Sequence, residues 1–580
     1  MREAGEGGHL KNLYNDYVYF WRWALWKTFE NPGTDEQPQP VPRPGIVCFI
    51  TAASYLRGPG FIGMREMMRR TFSELWILDL EGDNLGARKT PNVFAIQTPV
   101  CIALGVKKED NDAGTPATVR YARITGATRE EKLEKLAQIT KLADVNWREC
   151  MSGWEKPFLP AGDGAYWDWP ELTDVFPVQF NGMQLKRTWP ISETKTLVEK
   201  RWETLKAAPI TKKPALFRET GARKVANIYT DIDGQRLKPI SDGGDVKISR
   251  YSYRSFDRQW VIADERFADR FRPDLWRAYG PQQVYMVGML TNMYGLGSAL
   301  VASSDVPDLH YFAGRGGKDV IPLYLDAEAT KPNVTAGLLD VLAAQYGAAV
   351  TGEDLFAYAY ALLSTPAYVE THSEDLTVPG PRLPITKDAA LFAEGAKLGR
   401  EMLTLHTYGE RFAAAGSAAP YRGKARNTKA VQTTADKYPD DYSYNLDTQT
   451  LTVSEGEFSP VPFEVYSFSV SGLDVLQSWI KYRLKKGYGK RNSPLDDIRP
   501  EQWTAEMTKE LLELIWLLER TVEMEPTLTD LLGRIEAGEC FTADGLPKPV
   551  QQDDETTEAE EPEDKETLTA QMMAQMGVTK

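Results

Sequence analysis

The sequence has few of the residues that build metal centres and disulfide frameworks. It contains four cysteines, at positions 48, 101, 150 and 540, and none of them belongs to a Cys-x-x-Cys pair. It also contains only four histidines in 580 residues. We therefore expect no zinc site, no disulfide scaffold and no histidine-rich catalysis, and the sparse thiols fit the reducing cytoplasm.

Long apolar runs are also absent. No stretch approaches the length that crosses a bilayer, and the first residues, MREAGEGGHLKN, contain no apolar signal region. We therefore predict a cytoplasmic protein without a membrane partner. Positive charge is scarce as well, since the formal net charge is −14. Much of the excess lies in DDETTEAEEPEDKE, residues 553–566 of a tail (551–580) that we predict to be disordered. Net charge therefore neither supports nor excludes DNA as a partner.

The first part of the chain has an α/β pattern. Residues 13–29, LYNDYVYFWRWALWKTF, predict a buried helix, and after a proline-rich loop the apolar run 45–51 predicts a strand buried on both faces of a parallel sheet. A helix at 63–71, a strand at 74–80 and a hairpin across 92–106 follow. The amino-acid composition becomes more polar near residue 110. Residues 129–141 then predict a solvent-exposed helix.

The remaining sequence divides by composition into three further parts. Residues 147–330 are rich in Trp, Arg, Gly and Pro with short predicted strands, and residues 331–424 are helical around LLDVLAAQYG and LFAYAYALL. Residues 425–550 open with short strands (SYNLDTQTLTVSEGEF) and end in helices around VLQSWIKYRL and ELLELIWLLERTV.

The early strings resemble a known family of enzymes. PGIVCFITAASYLRGPGF, LWILDLEGD and NVFAIQTPV are similar to the late motifs of the methyltransferases that modify adenine N6 in DNA. Later strings, among them RSFDRQW (254–260), SSDVPDLHYFAGRGGKDVIPLY (303–324) and SGLDVLQSWIKYR (471–483), resemble the C-terminal specificity region of Type ISP restriction–modification enzymes. Together these strings cover most of residues 10–545, in order.

The resemblance implies a fold and a set of domains. We expect an α/β fold, a partial Rossmann-like methyltransferase sheet, followed by mixed α+β target-recognition domains. The expected parts are the C-terminal half of a methyltransferase domain (1–110), a linker helix (111–146), a target-recognition region (147–330), a helical specificity subdomain (331–424), an α+β subdomain (425–550) and the acidic tail (551–580).

The same resemblance shows what the sequence lacks. The family's glycine-rich donor loop is missing, and so is its Asn/Asp-Pro-Pro-Tyr/Phe motif, to which Asn31-Pro-Gly is the nearest string. Both motifs precede the first helix in the family's order, so we interpret the chain as beginning just after them. S-adenosyl-L-methionine is thus the implied donor, but the chain has no catalytic and no cofactor-binding residues. Alone, it should not methylate DNA.

Two aromatic residues are candidates for stacking on an extruded target base. Phe94 matches the family's aromatic position in Asn-Val-Phe, with a core phenylalanine as the alternative. Tyr55, in the loop after the first strand, is the second candidate, and ordinary packing is its alternative.

Basic residues are candidates for contacts to DNA phosphates or guanine edges. In the arginine-rich stretch 250–277, Arg254 matches the family pattern and Arg258 replaces its last arginine by a shift of one residue, but interleaved acids make a salt-bridged surface the alternative. The other candidates lie in a loop that follows Gly182, in a glycine-rich turn and at a basic helix end, where structural roles are again the alternative. They are Lys186, Arg187, Arg315, Lys318, Arg483, Lys485 and Lys486.

Two functions follow for the chain. The first is the recognition part of a site-specific adenine-N6 DNA methyltransferase. The second is a non-catalytic specificity module that binds double-stranded DNA while an upstream catalytic polypeptide supplies the chemistry. The reading frame immediately upstream distinguishes them.

Overall fold

The structure is a computed structural model of the chain. It describes residues 13–34, 41–84, 88–94, 96–160, 165–291, 293–313, 318–413, 421–432, 438–485, 493–497 and 502–549. Within these ranges no helix is both long enough and apolar enough to cross a membrane. The expected disordered tail, 551–580, lies outside them.

The N-terminal region, residues 13–160, contains one five-stranded sheet and three helices. In chain order these elements are α1 (Asp16–Leu25), β1 (Gly45–Ala52), α2 (Ile62–Thr71), β2 (Glu74–Asp79), β3 (Val100–Lys107), β4 (Thr118–Arg123), α3 (Arg129–Ala137) and β5 (Arg148–Glu149). A π-helical turn (Trp26–Glu30) extends α1. The helices and strands predicted at 13–29, 45–51, 63–71 and 74–80 are confirmed within a few residues.

The pairing of the strands makes the sheet mixed. Its order is β1-β3-β2-β4-β5, and β3 pairs antiparallel with both β1 and β2, so β1, β2 and β4 run in one direction, although β2–β4 is the one parallel pair of neighbours described. Residues 92–94 bend as a loop, and the strand that enters the sheet begins at Val100. The mixed α/β character is therefore confirmed, with β3 and β5 running against the other three strands, and the partial Rossmann-like sheet stays a prediction. Because β4 and β5 belong to this sheet, it continues across the expected boundary at residue 110.

α1 covers one face of the sheet with its apolar stripe. Trp21 is fully buried and packs edge-on against Phe49 of β1, with ring centroids 5.0 Å apart. The other face of β1 is exposed, since Ile46 keeps 63% of its surface and Ile50 keeps 55%. β1 is thus not buried on both faces, contrary to the expectation for a central parallel strand.

Residues 165–330 form the first part of a larger body. Their elements are α4 (Leu172–Val175), β6 (Phe180–Asn181), β7 (Ile191–Ser192), α5 (Lys195–Ala207), α6 (Lys213–Phe217), β8 (Ile248–Arg254), β9 (Asp257–Ile262), α7 (Pro273–Arg277), β10 (Tyr285–Gly288), β11 (Val301–Ser303) and β12 (Asp319–Pro322). One sheet has the order β11-β10-β12-β6 and another the order β7-β9-β8. β8 and β9 form a hairpin that carries the arginine-rich sequence.

Four helices follow, as the apolar periodicity predicted. They are α8 (Leu338–Tyr346), α9 (Gly352–Leu363), α10 (Pro366–Thr371) and α11 (Ala389–His406). α9 and α11 approach so closely that a Cβ at Gly399 would lie 1.8 Å from the carbonyl oxygen of Ala357. Only glycine permits this contact, and α9 is buried from Leu355 to Leu363.

The last part has a small sheet and the longest helix. Its elements are β13 (Arg426–Lys429), β14 (Tyr442–Asn445), β15 (Thr450–Val453), β16 (Gly456–Ser459), α12 (Phe463–Tyr466), β17 (Ser469–Val470), β18 (Leu473–Asp474), α13 (Val475–Arg483) and α14 (Ala505–Ala537). One hydrophobic cluster extends from Tyr166 to Leu546. The three expected recognition parts therefore share a core.

Candidate nucleic-acid interface

The β8–β9 hairpin holds Arg254 at its turn, where Phe256 adopts a left-handed backbone with φ of 60°. The Arg254 guanidinium donates to Asp308 at 2.8 Å and stacks over Tyr253, 4.1 Å from the ring centroid. The side chain is only 13% exposed. Arg254 is thus held in an ion pair at the edge of the body, with little of its charge presented to solvent.

Arg258 lies in β9 and faces α14. It forms ion pairs with Glu513 at 3.1 Å and with Glu410 at 3.4 Å, and it stacks 3.5 Å over Tyr408. The neighbouring Arg250 approaches Glu510 at 3.5 Å. Both arginines therefore point toward acids of the body, which matches the salt-bridged alternative rather than an open basic face.

The sequence reasoning missed these acids of α14. The run ELLELIWLLE places Glu510 and Glu513 three residues apart on an otherwise apolar helix, so they share one face. Burial raises the pKa of Glu510, although the nearby arginines act in the opposite direction. Two acids on a buried helix face were the signal that cations would be found opposite.

Three of the predicted DNA contacts are buried. Arg483 is bonded to Asp257 at 2.7 Å and Arg187 to Asp269 at 2.6 Å, and each of the four side chains is under 5% exposed. Lys318 is buried too, and desolvation lowers the pKa of its amine to about 8. In this structure the three have structural roles, so their contact with DNA remains only a prediction.

The other candidates divide into two groups. Lys186 and Lys485 are exposed at the surface of the body. Arg315 and Lys486 lie outside the described residues. Of the nine predicted DNA contacts, the structure therefore presents Lys186 and Lys485 to solvent without an acidic partner in the described ranges.

Phe94 lies on a tightly held loop between β2 and β3, and its ring is 42% exposed. Its backbone N–H donates to the side chain of Asn92 at 2.8 Å, and the Asn92 amide donates to the carbonyls of Gly82 and Thr98. Buried Lys132 donates to the Pro91 carbonyl at 2.9 Å. The core-packing alternative is therefore wrong for Phe94, whose ring projects from a rigid support.

The Phe94 loop lies against the larger body. Arg88 donates to the carbonyls of Tyr294 and Ser373, at 2.6 and 2.7 Å. Arg123 of β4 pairs with Glu374 at 3.1 Å. The exposed ring is thus next to the boundary between the N-terminal sheet and the specificity region.

Tyr55 has a different environment. It is fully buried, with Trp21 and Phe158 as aromatic neighbours at 6.2 and 6.3 Å, and its hydroxyl lies 3.3 Å from Cys101. Burial raises the pKa of the Tyr55 phenol. The structure shows core packing here and leaves the ring no face for a base.

The turn after β2 has no room for S-adenosyl-L-methionine. The turn after β2 contains Gly82 with φ of 95°, but a Cβ there would lie 2.5 Å from the Asn92 amide nitrogen, so Asn92 fills the turn. Asp79, at the end of β2, is bonded to Arg57 and to the Tyr121 hydroxyl. Neither group is available to hold a methyl donor.

Exposed apolar side chains lie on both sides of the first part of the N-terminal sheet. They belong to the outer face of α1 and its following turn on one side and to the exposed face of β1 on the other, and we call them together the α1–β1 surface. Its members are Tyr14, Tyr19, Phe20, Trp23, Trp26, Ile46 and Ile50. β1 is also an edge strand, with no hydrogen-bonded neighbour on its outer side in the described ranges. Such a surface is typical of a docking site.

Comparison with known proteins identifies the larger body. Residues 174–514 match the family described as the Type ISP C-terminal specificity domain. No curated protein matches the chain.

Three solved structures share the fold over most of the chain. The Type ISP restriction–modification enzyme LlaBIII, bound to DNA, matches with a TM-score of 0.62 and 18% identity over 90% of this chain and 34% of its own. A nuclease-deletion mutant of LlaGI, in complex with a DNA substrate mimic, matches with a TM-score of 0.59 and 17% identity over 89% and 40%. The DrdV–DNA complex matches with a TM-score of 0.58 and 19% identity over 90% and 52%.

The chain therefore spans from about a third to about half of the length of these enzymes. The family match covers more than half of this chain, from α4 into α14. The chain accordingly belongs to the family of Type ISP C-terminal specificity domains.

Proposed function

We propose that this chain recognises a DNA sequence on behalf of a restriction–modification methyltransferase that acts on adenine N6. The observation that carries the proposal is the family match over residues 174–514, together with the DNA in the complexes of three enzymes of similar fold. The bases that this chain would read, and its contacts to them, are part of the proposal.

DNA binding can be tested directly. Selection from a randomised duplex library should enrich one short motif, and affinity for that motif should fall steeply with salt because phosphate contacts release counterions. A scrambled duplex of equal length is the control, and it should bind more weakly with a similar salt dependence. If no duplex binds at low salt, the proposal is wrong.

The methyl-transfer step needs a donor-binding partner. We propose that S-adenosyl-L-methionine is held by residues outside those described, because the turn after β2 is filled by Asn92. The donor supplies the methyl group, and Phe94 of this chain would stack on the extruded adenine. Calorimetry with the isolated chain should show no saturable binding of S-adenosyl-L-methionine. Saturable binding at micromolar protein would place the donor site in this chain.

The second candidate, a specificity module that works with a separate catalytic chain, is supported by the α1–β1 surface. Its open strand edge and exposed aromatic rings match what a neighbouring sheet would cover. Co-expression with the polypeptide encoded immediately upstream tests this. The pair should co-purify, and Ile50→Lys should weaken the complex because a buried charge is unfavourable. Lys27→Ala, at an exposed polar position of the same region, is the matched control. Equal binding by Ile50→Lys would contradict the proposed interface.

A further inference from the structure

Cations with strained backbones cluster in one part of the body. Lys186, Arg218 and Arg272 have φ of 54°, 60° and 61°. They are the only cations among the eleven non-glycine residues of positive φ in the described chain. Arg272 adjoins the Lys186 turn because Gln184 and Arg270 exchange backbone hydrogen bonds at 2.9 and 3.0 Å.

A left-handed backbone is unfavourable for a residue with a side chain and is tolerated readily by glycine. Neither Lys186 nor Arg218 contributes an apolar group to the core. Folding alone would therefore favour glycine at both positions. Strained residues of this kind concentrate at functional sites, where the side chain has a use that offsets the strain.

Arg187 joins the Lys186 turn to the Arg218 turn. Its Nε donates to the carbonyls of Phe217 and Arg218, at 3.1 and 3.0 Å, and its Nη1 donates to Leu185 at 2.9 Å. Nη2 donates to Thr220, whose hydroxyl in turn donates to Asp269. Every nitrogen of Arg187 is thus used inside the protein, which fixes the two turns side by side.

The two cations beside Arg187 are less enclosed than Arg187 itself. Lys186 is exposed, and Arg218 is half-buried with its Nη1 donating to the Lys186 carbonyl. Within the described chain neither side chain forms an ion pair, whereas Arg254 and Arg258 both do. The charge of this pair is therefore available to an anionic ligand.

We infer that Lys186 and Arg218 form a phosphate clamp on the DNA backbone and that Arg187 is its positioning residue. The inference rests on the proposed DNA recognition, and adds a contact, Arg218, that the sequence did not suggest. Phosphate contacts of this kind fix the register of the protein on the duplex without reading bases.

Glycine substitutions distinguish a role of these cations in DNA binding from a role in folding. Lys186→Gly should raise the melting temperature, because it removes strain and keeps the carbonyl that Arg218 uses. The slope of log K against log salt is negative, and Lys186→Gly should make it shallower by about 1. The double variant with Arg218→Gly should make it shallower by about 2. At 0.1 M salt we expect a loss of roughly five- to tenfold per residue on all duplexes.

Lys206→Ala is the control for charge, since Lys206 pairs with Glu203 on α5 and should leave the salt slope unchanged. An unchanged slope in the glycine double variant would overturn the clamp while leaving DNA recognition intact. A lower melting temperature for Lys186→Gly would also overturn the clamp. The lysine side chain would then stabilise the fold, and its positive φ would need no functional explanation. A wild-type chain that binds no DNA would remove the proposed function and the clamp with it.

The role of Arg187 has its own test. Thr220→Val removes one acceptor of Arg187 and the bond to Asp269, but it removes no charge. Binding should weaken while the salt slope stays at the wild-type value, because both cations remain. Unchanged affinity in Thr220→Val would overturn the positioning role.

Discussion

The N-terminal region (13–160) and the larger body (165–549) differ in where they place apolar surface. Among the described residues, eight of the eighteen exposed large apolar side chains lie between residues 14 and 50. The body instead buries most of its apolar residues in one cluster that crosses every predicted subdomain boundary, with a second, smaller cluster around Trp189. The body therefore covers its apolar residues itself, whereas the N-terminal region leaves part of its apolar surface exposed, as docking sites do.

Two ion pairs, one from each region, have similar lengths but differ in burial. In the body, Arg483 and Asp257 pair at 2.7 Å with both side chains 1% exposed. In the N-terminal region, Arg22 and Glu30 pair at 2.8 Å with about half of each side chain in water. The two N–O distances are nearly equal. Loss of one partner should nevertheless cost much more stability in the buried pair than in the exposed pair.

The largest effect on stability is expected from Arg483→Met. It leaves the Asp257 carboxylate buried without its main partner, and the free energy of unfolding should fall by about 3–5 kcal/mol. Arg22→Met is the matched variant and should change stability by less than about 1 kcal/mol. Urea unfolding followed by tryptophan fluorescence measures both. Equal losses of unfolding free energy in the two variants would contradict the contrast between the buried and the exposed pair.

The next effect depends on pH and arises in the body. Burial lowers the pKa of His406 from 6.5 to about 3, and its ring nitrogens contact Tyr360 and Thr521. Because the unfolded chain takes up this proton more readily, stability is present above pH 6.5. It is lost as pH falls toward 3, by at most about 1.4 kcal/mol per pH unit.

Unfolding curves between pH 7 and 4 test this contribution. His406→Gln should be less stable at pH 7, because it disturbs a buried hydrogen-bonded site, but its stability should fall less steeply with acid. Parallel curves for the two proteins would show that His406 does not titrate on unfolding.

Smaller effects are expected on the α1–β1 surface. Phe20→Ser and Trp23→Ser should change the free energy of unfolding by no more than about 0.5 kcal/mol, since both rings are exposed. They should also reduce self-association in sedimentation velocity, because an exposed apolar patch promotes it. Trp21→Ser, one helix position away but fully buried, should be strongly destabilising. Similar losses in all three would show that the outer rings are packed.

The smallest effect on folding is expected for Phe94→Ala, because the ring projects from its loop. With a donor-binding chain present, methylation should nevertheless fall, since stacking contributes about 1–3 kcal/mol per base. A duplex with a mismatched target base should partly restore activity, because extrusion is then easier. Lost solubility or unchanged methylation would remove the stacking role.

Sequence reasoning succeeded where local pattern decides the structure. The strand predicted at 45–51 is β1, and the helix predicted at 63–71 is α2, because apolar periodicity and short-range order set both. Of the hairpin expected across 92–106, only the second strand, β3, is found in the described residues. Before it, the Asn92 side chain bonds the carbonyls of Gly82 and Thr98, and no periodicity encodes that tertiary choice.

Site residues were harder to predict because their partners lie far away in sequence. Arg258 reaches Glu513 across 255 positions, and Arg483 reaches Asp257 across 226. An arginine that the sequence presents as a candidate DNA contact can thus be neutralised by a helix that lies far away along the chain. Lysine and arginine are not residue types that indicate a positive φ, so the strained backbone at Lys186 and Arg218 could not be predicted from the sequence.

α14 has a consequence for how this chain can change in length. One helix of 33 residues carries Glu513, which meets β9, Glu519, which accepts from the backbone of Ala425, and Thr521, which meets His406. Inserting one residue between two of these contacts rotates everything beyond it by about 100°. Because each added turn also shifts the later residues by about 5.4 Å along the axis, even a whole-turn insertion between Glu513 and Thr521 would require the contacting segments to rearrange together.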